Sequence, residues 1–150
     1  MKQQIIPTET SELLSTAAQF KKDGYRMTQI LCTRVAEGYE LTYSFDKDCV
    51  MTHLRLLVPE DGKVMSVTSQ YWYAFVWENE IHDLFGLNIE CIAPEVDYHG
   101  KFFQLAKPMP WHEFAGAQQP ASAVKVNLRS GLGIDASVKP SAAKPKEGGN

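Results

Sequence analysis

Residues 71–86 read YWYAFVWENEIHDLFG, and this stretch decides the fold. Its apolar residues recur every three or four positions, which is the spacing of one helix face. The residues that share this face are Ala74, Trp77, Ile81 and either Leu84 or Phe85. The spacing predicts one helix of about four turns.

Both ends of this helix carry recognisable signals. Thr68 or Ser69 is placed to cap its start, and Gly86 suits the left-handed position just past its end. The first half, Tyr71 to Trp77, is apolar nearly all round. Because a surface helix usually keeps a polar face, we expect this half to be covered on more than one side.

The second half of the helix is acidic. Glu78, Glu80 and Asp83 approach the negative end of the helix dipole, which disfavours them. No Lys or Arg occurs in residues 64–100, so we expect a cation from elsewhere in the chain or from a partner. The candidates within the chain are Arg26, Arg34 and Arg55. The alternative is that the acids are simply solvated.

The composition indicates one globular domain. The chain has 150 residues, of which 44% are hydrophobic, and its net charge of −3 does not favour a nucleic-acid partner. Cys32, Cys49 and Cys91 are far apart and form no Cys-x-x-Cys, which argues against a zinc or iron–sulfur site built by this chain alone. Reduced thiols in a cytosolic protein are expected. No stretch has the pattern of a signal peptide or the length of a membrane span.

The first part of the chain reads as one helix followed by strands. Residues 9–22 have the apolar stripe of a short helix, with acids at its start and lysines at its end. Strand patterns follow at 25–35, 39–45 and 49–58, and their short connections predict an antiparallel meander. Residues 39–45 alternate most cleanly, so they are expected to have one buried face.

Shorter elements flank the central helix. Residues 63–67 form an extended approach to it, and 87–92 read as a further short strand. Residues 93–114 predict an irregular arm, and 116–150 an extended or disordered tail. Together these elements indicate an α+β fold, a mostly antiparallel sheet with helices on one face and an extended C-terminal arm and tail, whose domain comprises residues 1–115.

No motif for catalysis or metal binding stands out. The histidines lack the spacing of paired ligands, and there is no Gly-rich phosphate loop, nucleophile elbow or dinucleotide fingerprint. Glu78 and His82 lie four residues apart on one helix face. With Asp97 and His99 they would form a metal or acid–base cluster only if the arm folded back, and a weak helix-surface pair is the more common outcome.

The run SVTSQYWYAFVWENEIHDLFGLNIE, residues 66–90, resembles the signature of the 30-kDa-type subunit of respiratory NADH dehydrogenase (complex I) and its homologues in energy-converting nickel–iron hydrogenases. The family pattern is an aromatic residue, Glu-Arg-Glu, two residues, Asp, two apolar residues and Gly. Here it falls on Trp77, Glu78-Asn79-Glu80, Asp83 and Gly86. The resemblance extends over residues 10–90.

Two departures bear on the branch of the family. Asn79 stands where the family usually has Arg, which leaves open any salt bridge assigned to that Arg. Respiratory subunits typically continue with Gly-His-Pro-Asp and paired arginines, whereas residues 94–108 read PEVDYHGKFFQLAKP. The chain is also short for a respiratory version. The downstream sequence and the length favour the hydrogenase-like branch.

The resemblance implies an accessory subunit without its own redox centre. Such subunits dock on a large catalytic subunit, of the nickel–iron or 49-kDa-like type, beside a small iron–sulfur subunit. The iron–sulfur clusters and the nickel–iron centre belong to these partners. The complex is held at the cytoplasmic side of the cell membrane, and its implied role is to couple ferredoxin oxidation to proton reduction and ion translocation.

The acidic end of the helix is therefore expected to be a docking site without catalytic function. The interface residues predicted on this basis are Trp77, Glu78, Glu80, Asp83, Phe85 and Gly86. One alternative is the equivalent subunit of an NADH- or ferredoxin-linked quinone oxidoreductase. Others are a free-standing carboxylate-dependent enzyme that uses the same acids with His82, and a small module that binds a ligand through its aromatic cluster.

The purified chain is expected to be free of cofactors, because it lacks clustered thiolates and nucleotide-binding loops. An optical spectrum should show no visible absorption from flavin or iron–sulfur, and metal analysis should find no stoichiometric metal. One equivalent of iron, nickel or zinc on the isolated chain would contradict this prediction.

Overall fold

Residues 39–45, which alternate most cleanly, lie in a central strand of the main sheet. The structure is a computed structural model that describes residues 2–113. Its elements, in chain order, are β1 (Lys2–Pro7), α1 (Leu13–Lys22), β2 (Arg26–Val35), β3 (Gly38–Lys47), β4 (Val50–Val58), β5 (Lys63–Met65), α2 (Phe75–Phe85) and β6 (Asn88–Glu90), with single turns of 3-10 helix at Trp72–Ala74 and Pro94–Val96.

The main sheet has the strand order β1-β4-β3-β2. Strands β2, β3 and β4 form the predicted antiparallel meander. β1 adds to β4 in parallel, with Ile5 opposite His53. Sequence reasoning missed β1, because its six residues contain only two β-branched side chains, end in Pro7 and lack a clear alternation. The sheet is nonetheless mostly antiparallel, and the α+β fold class is confirmed.

One face of the sheet carries the core. The side chains on this face of β3 are all fully buried: Tyr39, Leu41, Tyr43 and Phe45. Phe20 of α1 packs edge-on against Phe45, with ring centroids 5.0 Å apart, and Phe85 of α2 packs edge-on against Tyr39 at 6.5 Å. Both helices therefore cover the same face of the sheet, as predicted.

The central helix is shorter than predicted at its start. Tyr71 is extended, the next three residues form the 3-10 turn, and α2 begins at Phe75. The predicted cap is wrong, because no side chain caps either turn. The hydroxyl of Thr68 instead lies 2.7 Å from that of Ser66 and accepts the N–H of Ala93. The predicted end is confirmed: Gly86 is left-handed, with φ +75°, and its N–H donates to the carbonyl of His82.

The short elements lie beside α2. β5 and β6 pair in parallel as a second, two-stranded sheet, which confirms the extended approach and the short strand. The arm that follows is irregular and returns to the C-terminal end of α2, where Met109 and Trp111 donate their N–H groups to the carbonyls of Asp83 and Leu84. The predicted tail, 116–150, lies outside the described residues, and the domain boundary stays a prediction. None of the described helices is long and apolar enough to cross a membrane.

The turn between β2 and β3 depends on Gly38. Its φ is +139°, and a Cβ placed there would overlap the carbonyl oxygen of Val58. Gly38→Ala should lower the free energy of unfolding by more than about 2 kcal/mol, because a strained φ and a backbone clash add together. Gly24→Ala is the matched control: its φ is also positive, at +84°, but nothing lies within 4 Å. Urea unfolding of both variants checks this, and equal losses would contradict it.

Candidate functional site

The structure divides the six predicted interface residues into two groups. Glu78, Asp83 and Phe85 are buried inside this chain. Trp77, Glu80 and Gly86 are partly exposed. No partner is present, so the docking role of all six stays a prediction, but only the second group is open to a partner in this conformation.

Glu78 is fully buried and is bound by neutral donors. One carboxylate oxygen accepts the hydroxyl of Ser66 at 2.6 Å, and the other accepts the N–H of Val67 at 2.8 Å. Because α2 begins at Phe75, Glu78 lies in its first turn, at the positive end of the dipole. The expected dipole penalty was therefore wrong for Glu78.

The arginines considered as partners of the acidic helix are engaged elsewhere. Arg26 pairs with Asp46 at 3.2 Å, Arg34 with Glu60 at 3.0 Å, and Arg55 with Glu40 at 3.5 Å. Within residues 2–113, the expectation of an in-chain cation for Glu78, Glu80 or Asp83 is therefore wrong. Glu80 has no ion-pair partner in this part of the chain, and a cation from a partner stays the other possibility.

The buried position of Glu78 has an electrostatic consequence. Burial raises the pKa of Glu78, while the hydrogen bonds from Ser66 and Val67 act to lower it. The negative charge of Glu78 in turn adds to the effect of burial in raising the pKa of Tyr43 well above its usual range. The hydroxyl of Tyr43 is buried and has no hydrogen-bond partner among residues 2–113.

Asp83 clamps the arm to the helix. Its Oδ2 accepts the N–H of Phe103 at 2.7 Å, and its main-chain carbonyl accepts the N–H of Met109. Its Oδ1 is buried and accepts no hydrogen bond from the described residues. Nδ1 of His82 is 3.7 Å away, which exceeds hydrogen-bond length. Both side chains line a pocket of about 100 Å³ between the helix and the arm, together with Gly100.

Asn79, the departure from the family pattern, also holds the arm. Its amide nitrogen donates to the carbonyls of Phe75 and Val96, each at 2.8 Å, and its amide oxygen accepts the N–H of Tyr98 at 3.0 Å. The side chain is buried, and these three hydrogen bonds are all to neutral main-chain groups. At this position hydrogen bonds to the main chain stand in place of a salt bridge.

A third set of contacts, which sequence reasoning missed, holds the end of the arm. The hydroxyl of Tyr39 donates to the carbonyl of Phe85 at 3.1 Å and lies 2.9 Å from Nδ1 of His112. The guanidinium of Arg34 donates to the carbonyl of His112 at 2.8 Å and stacks over the ring of Tyr39. Tyr39 and Arg34 precede His112 by 73 and 78 positions, and no local signal in the sequence relates these residues.

The start of the helix exposes apolar surface. Trp72 is 51% exposed, and Tyr73 and Val76 are each 40% exposed. The expected cover on more than one side is therefore not supplied by residues 2–113. Exposed neighbouring apolar side chains of this size are typical of a contact surface.

The candidate chemical clusters do not assemble. Glu78 faces Ser66 and Val67 while His82 lies beside Asp83, so the proposed Glu–His pair does not form. Asp97 and His99 do meet, at 3.2 Å, but alone. Among the described residues there is no group of three or more His, Cys, Asp or Glu side chains that could hold a metal ion.

Comparison with known proteins agrees with this geometry. Residues 5–92 match the model of the family described as the respiratory-chain NADH dehydrogenase 30 Kd subunit. No curated protein sequence matches the chain. The fold is similar to a chain in the structure of the membrane-bound sulfane sulfur reductase, an archaeal respiratory membrane complex, with a TM-score of 0.55 and 20% identity. The match covers 60% of this chain and 58% of that chain.

Glu78 should make the stability of the protein depend on pH. In the unfolded chain its carboxyl ionises near the ordinary value of 4.5, whereas in the folded chain the pKa is raised. Between these values the folded state retains a proton that the unfolded state has lost, so the free energy of unfolding falls as pH rises above about 4.5. Glu78→Gln should remove this decline, measured by urea unfolding across pH.

Ser66→Ala is the matched variant. Loss of the Ser66 hydroxyl removes a hydrogen bond that lowers the pKa of Glu78, so the decline in stability should extend to higher pH. The same pH profile of stability in wild type, Glu78→Gln and Ser66→Ala would contradict the assignment of this pH dependence to Glu78.

Proposed function

Because this chain belongs to the family of the 30-kDa subunit of respiratory-chain NADH dehydrogenase, we propose that it is a non-redox accessory subunit of a membrane-bound, energy-converting hydrogenase-type complex. The family match over residues 5–92 is the observation that carries this proposal. The complex would couple ferredoxin oxidation to proton reduction and ion translocation. This chain would lie peripherally at the cytoplasmic side of the membrane and contact it only through its partners.

The partners are a large catalytic subunit, of the nickel–iron or 49-kDa-like type, and a small iron–sulfur subunit. They would hold the nickel–iron centre and the iron–sulfur clusters. The exposed side chains of Trp72, Tyr73 and Val76 supply apolar contact area for docking, and Trp77 and Glu80 are partly open beside them. Aromatic residues are enriched at such interfaces because they bury large area with few rotatable bonds.

The buried members of the predicted interface act indirectly. Glu78 fixes the start of α2 to the segment before it, through Ser66 and Val67. Asp83 holds the arm through the N–H of Phe103, and Phe85 packs against Tyr39 of the sheet. These residues would set the shape of the docking surface without touching the partner.

The hydrogenase branch is proposed over the NADH dehydrogenase branch on the sequence downstream of the central helix. Residues 87–113 contain no arginine, whereas the respiratory subunits carry a pair there. The alternative is the equivalent subunit of an NADH- or ferredoxin-linked quinone oxidoreductase, which the description of the family favours.

Purification of the complex through an affinity tag on this chain tests the proposal. Material from detergent-solubilised membranes should contain this chain, a large subunit and a small iron–sulfur subunit, with nickel and iron in stoichiometric amounts. Iron without nickel would favour the quinone oxidoreductase alternative. A tagged chain recovered alone, with its own catalytic activity, would contradict both.

Two substitutions separate docking from folding. Glu80→Ala should leave the stability of the isolated chain within about 0.5 kcal/mol, because Glu80 has no ion-pair partner in residues 2–113, but should lower the yield of complex. Asp83→Ala should lower the stability by about 1–3 kcal/mol, because the N–H of Phe103 loses its acceptor. Turnover per assembled complex should be unchanged in both. Intact assembly with lost turnover would mean that these carboxylates do chemistry or carry protons.

A further inference from the structure

Strand β2 leaves a long edge of the main sheet open. It pairs with β3 on one side, and no strand of residues 2–113 pairs with it on the other. Because ladder bonds alternate along an antiparallel pair, every second residue of β2 directs its N–H and C=O away from β3. An open edge of this kind is a template for another strand.

This edge is protected at its start, where the register shifts between Met27 and Gln29 and the hydroxyl of Tyr73 donates to the carbonyl of Met27, but it lacks the usual protection against pairing from Gln29 to Thr33. β2 is ten residues long, and from Met27 to Thr33 it has no charged residue and no Pro. The opposite edge strand, β1, is only six residues long and ends at Pro7. Sheets normally blunt their free edges with charges, Pro or short strands, so the length and neutrality of β2 distinguish it.

A groove runs along the open edge. Four consecutive residues of β2, Gln29 to Cys32, line it. Successive side chains of a strand point to opposite faces, so one groove can contact all four only if it follows the edge itself. The other wall comes from α2 and the arm and consists of Trp77, Glu80, Ile81, Leu84, Phe85 and Trp111.

The residues that line the groove indicate what kind of segment would bind there. The walls are mainly apolar, and Trp111 and Leu31 are each about half exposed. Glu80 is the acidic group in the groove and has no ion-pair partner within the described residues. An extended segment would pair with the open edge of β2 through its main chain. Its apolar side chains would contact the walls of the groove, and a Lys or Arg would pair with Glu80.

We propose that this groove takes an extended segment of a partner subunit, which adds to β2 as a further strand and places a Lys or Arg against Glu80. The inference rests on the proposed function, because the partner is a subunit of the same complex. It specifies how that partner binds, which the family match does not.

Two other occupants fit less well. A small molecule is disfavoured because the groove, at about 260 Å³, is below the size of typical ligand pockets and follows a strand. A second copy of this chain, paired through β2, would add a second Glu80 without a free cation from that strand. The two arginines of β2 are engaged, Arg26 with Asp46 and Arg34 with Glu60 and the carbonyl of His112.

Hydrogen–deuterium exchange on the full chain, alone and in the purified complex, tests the proposal. Amides of Gln29–Arg34 whose N–H groups face the open edge should exchange at least about tenfold more slowly in the complex. An intact complex with unchanged exchange in β2 would overturn the inference and leave the proposed function standing. Equal protection in the isolated chain would mean that a second copy or residues 114–150 occupy the edge, and would also overturn it. Failure to recover any complex would overturn both.

A pair of substitutions separates edge pairing from docking on the outer face. Leu31 in β2 and Leu57 in β4 lie on the same outer face of the sheet and are 52% and 58% exposed. Leu31→Lys adds a charge at the open edge and should reduce assembled complex roughly tenfold with unchanged thermal stability. Leu57→Lys, two strands away from that edge, should assemble like wild type. Equal loss in both variants would indicate docking on the outer face and overturn edge pairing.

Discussion

A buried carboxylate that meets no cation within residues 2–113 joins the parts of this domain. Glu78 accepts hydrogen bonds from the hydroxyl of Ser66 and the N–H of Val67, and through Ser66 it reaches Thr68 and the N–H of Ala93. The network ties α2 to the segments on both sides of it. Each buried donor left without its acceptor would cost about 1–3 kcal/mol, so the loss of any one member of the network should destabilise the domain.

The path of the arm depends on the position of α2. Asn79 and Asp83 satisfy main-chain groups of the arm, and Arg34 and Tyr39 hold its end. The polar side chains of Glu78, Asn79 and Asp83 are thus used within the chain, while the exposed surface at the start of the helix is apolar and aromatic, and Glu80 is partly exposed. In the proposed docking role, the acids Glu78 and Asp83 would shape the domain, and the contact area would lie beside them.

Local patterns predicted the elements well. The alternation in residues 39–45 marked the buried face of β3, and Gly86 marked the end of α2, because both signals depend on neighbouring residues. The family, the meander and the placement of helices on one face were also predictable. The features that sequence reasoning missed depend on contacts between distant residues. They are the parallel addition of β1, the role of Thr68 and the neutral partners of Glu78. A carboxylate in a helical sequence does not reveal whether a distant hydroxyl or a distant arginine will meet it.

The parallel strand β1 also constrains the order of folding. It pairs with β4, with Lys2 opposite Val50, so β1 must wait for β4. The meander of β2, β3 and β4 can form from local hairpins, whereas β1 pairs with residues 48 positions further along the chain. During synthesis the N-terminal strand therefore remains unpaired until β4 has emerged, and its incorporation should be a late step that completes the sheet.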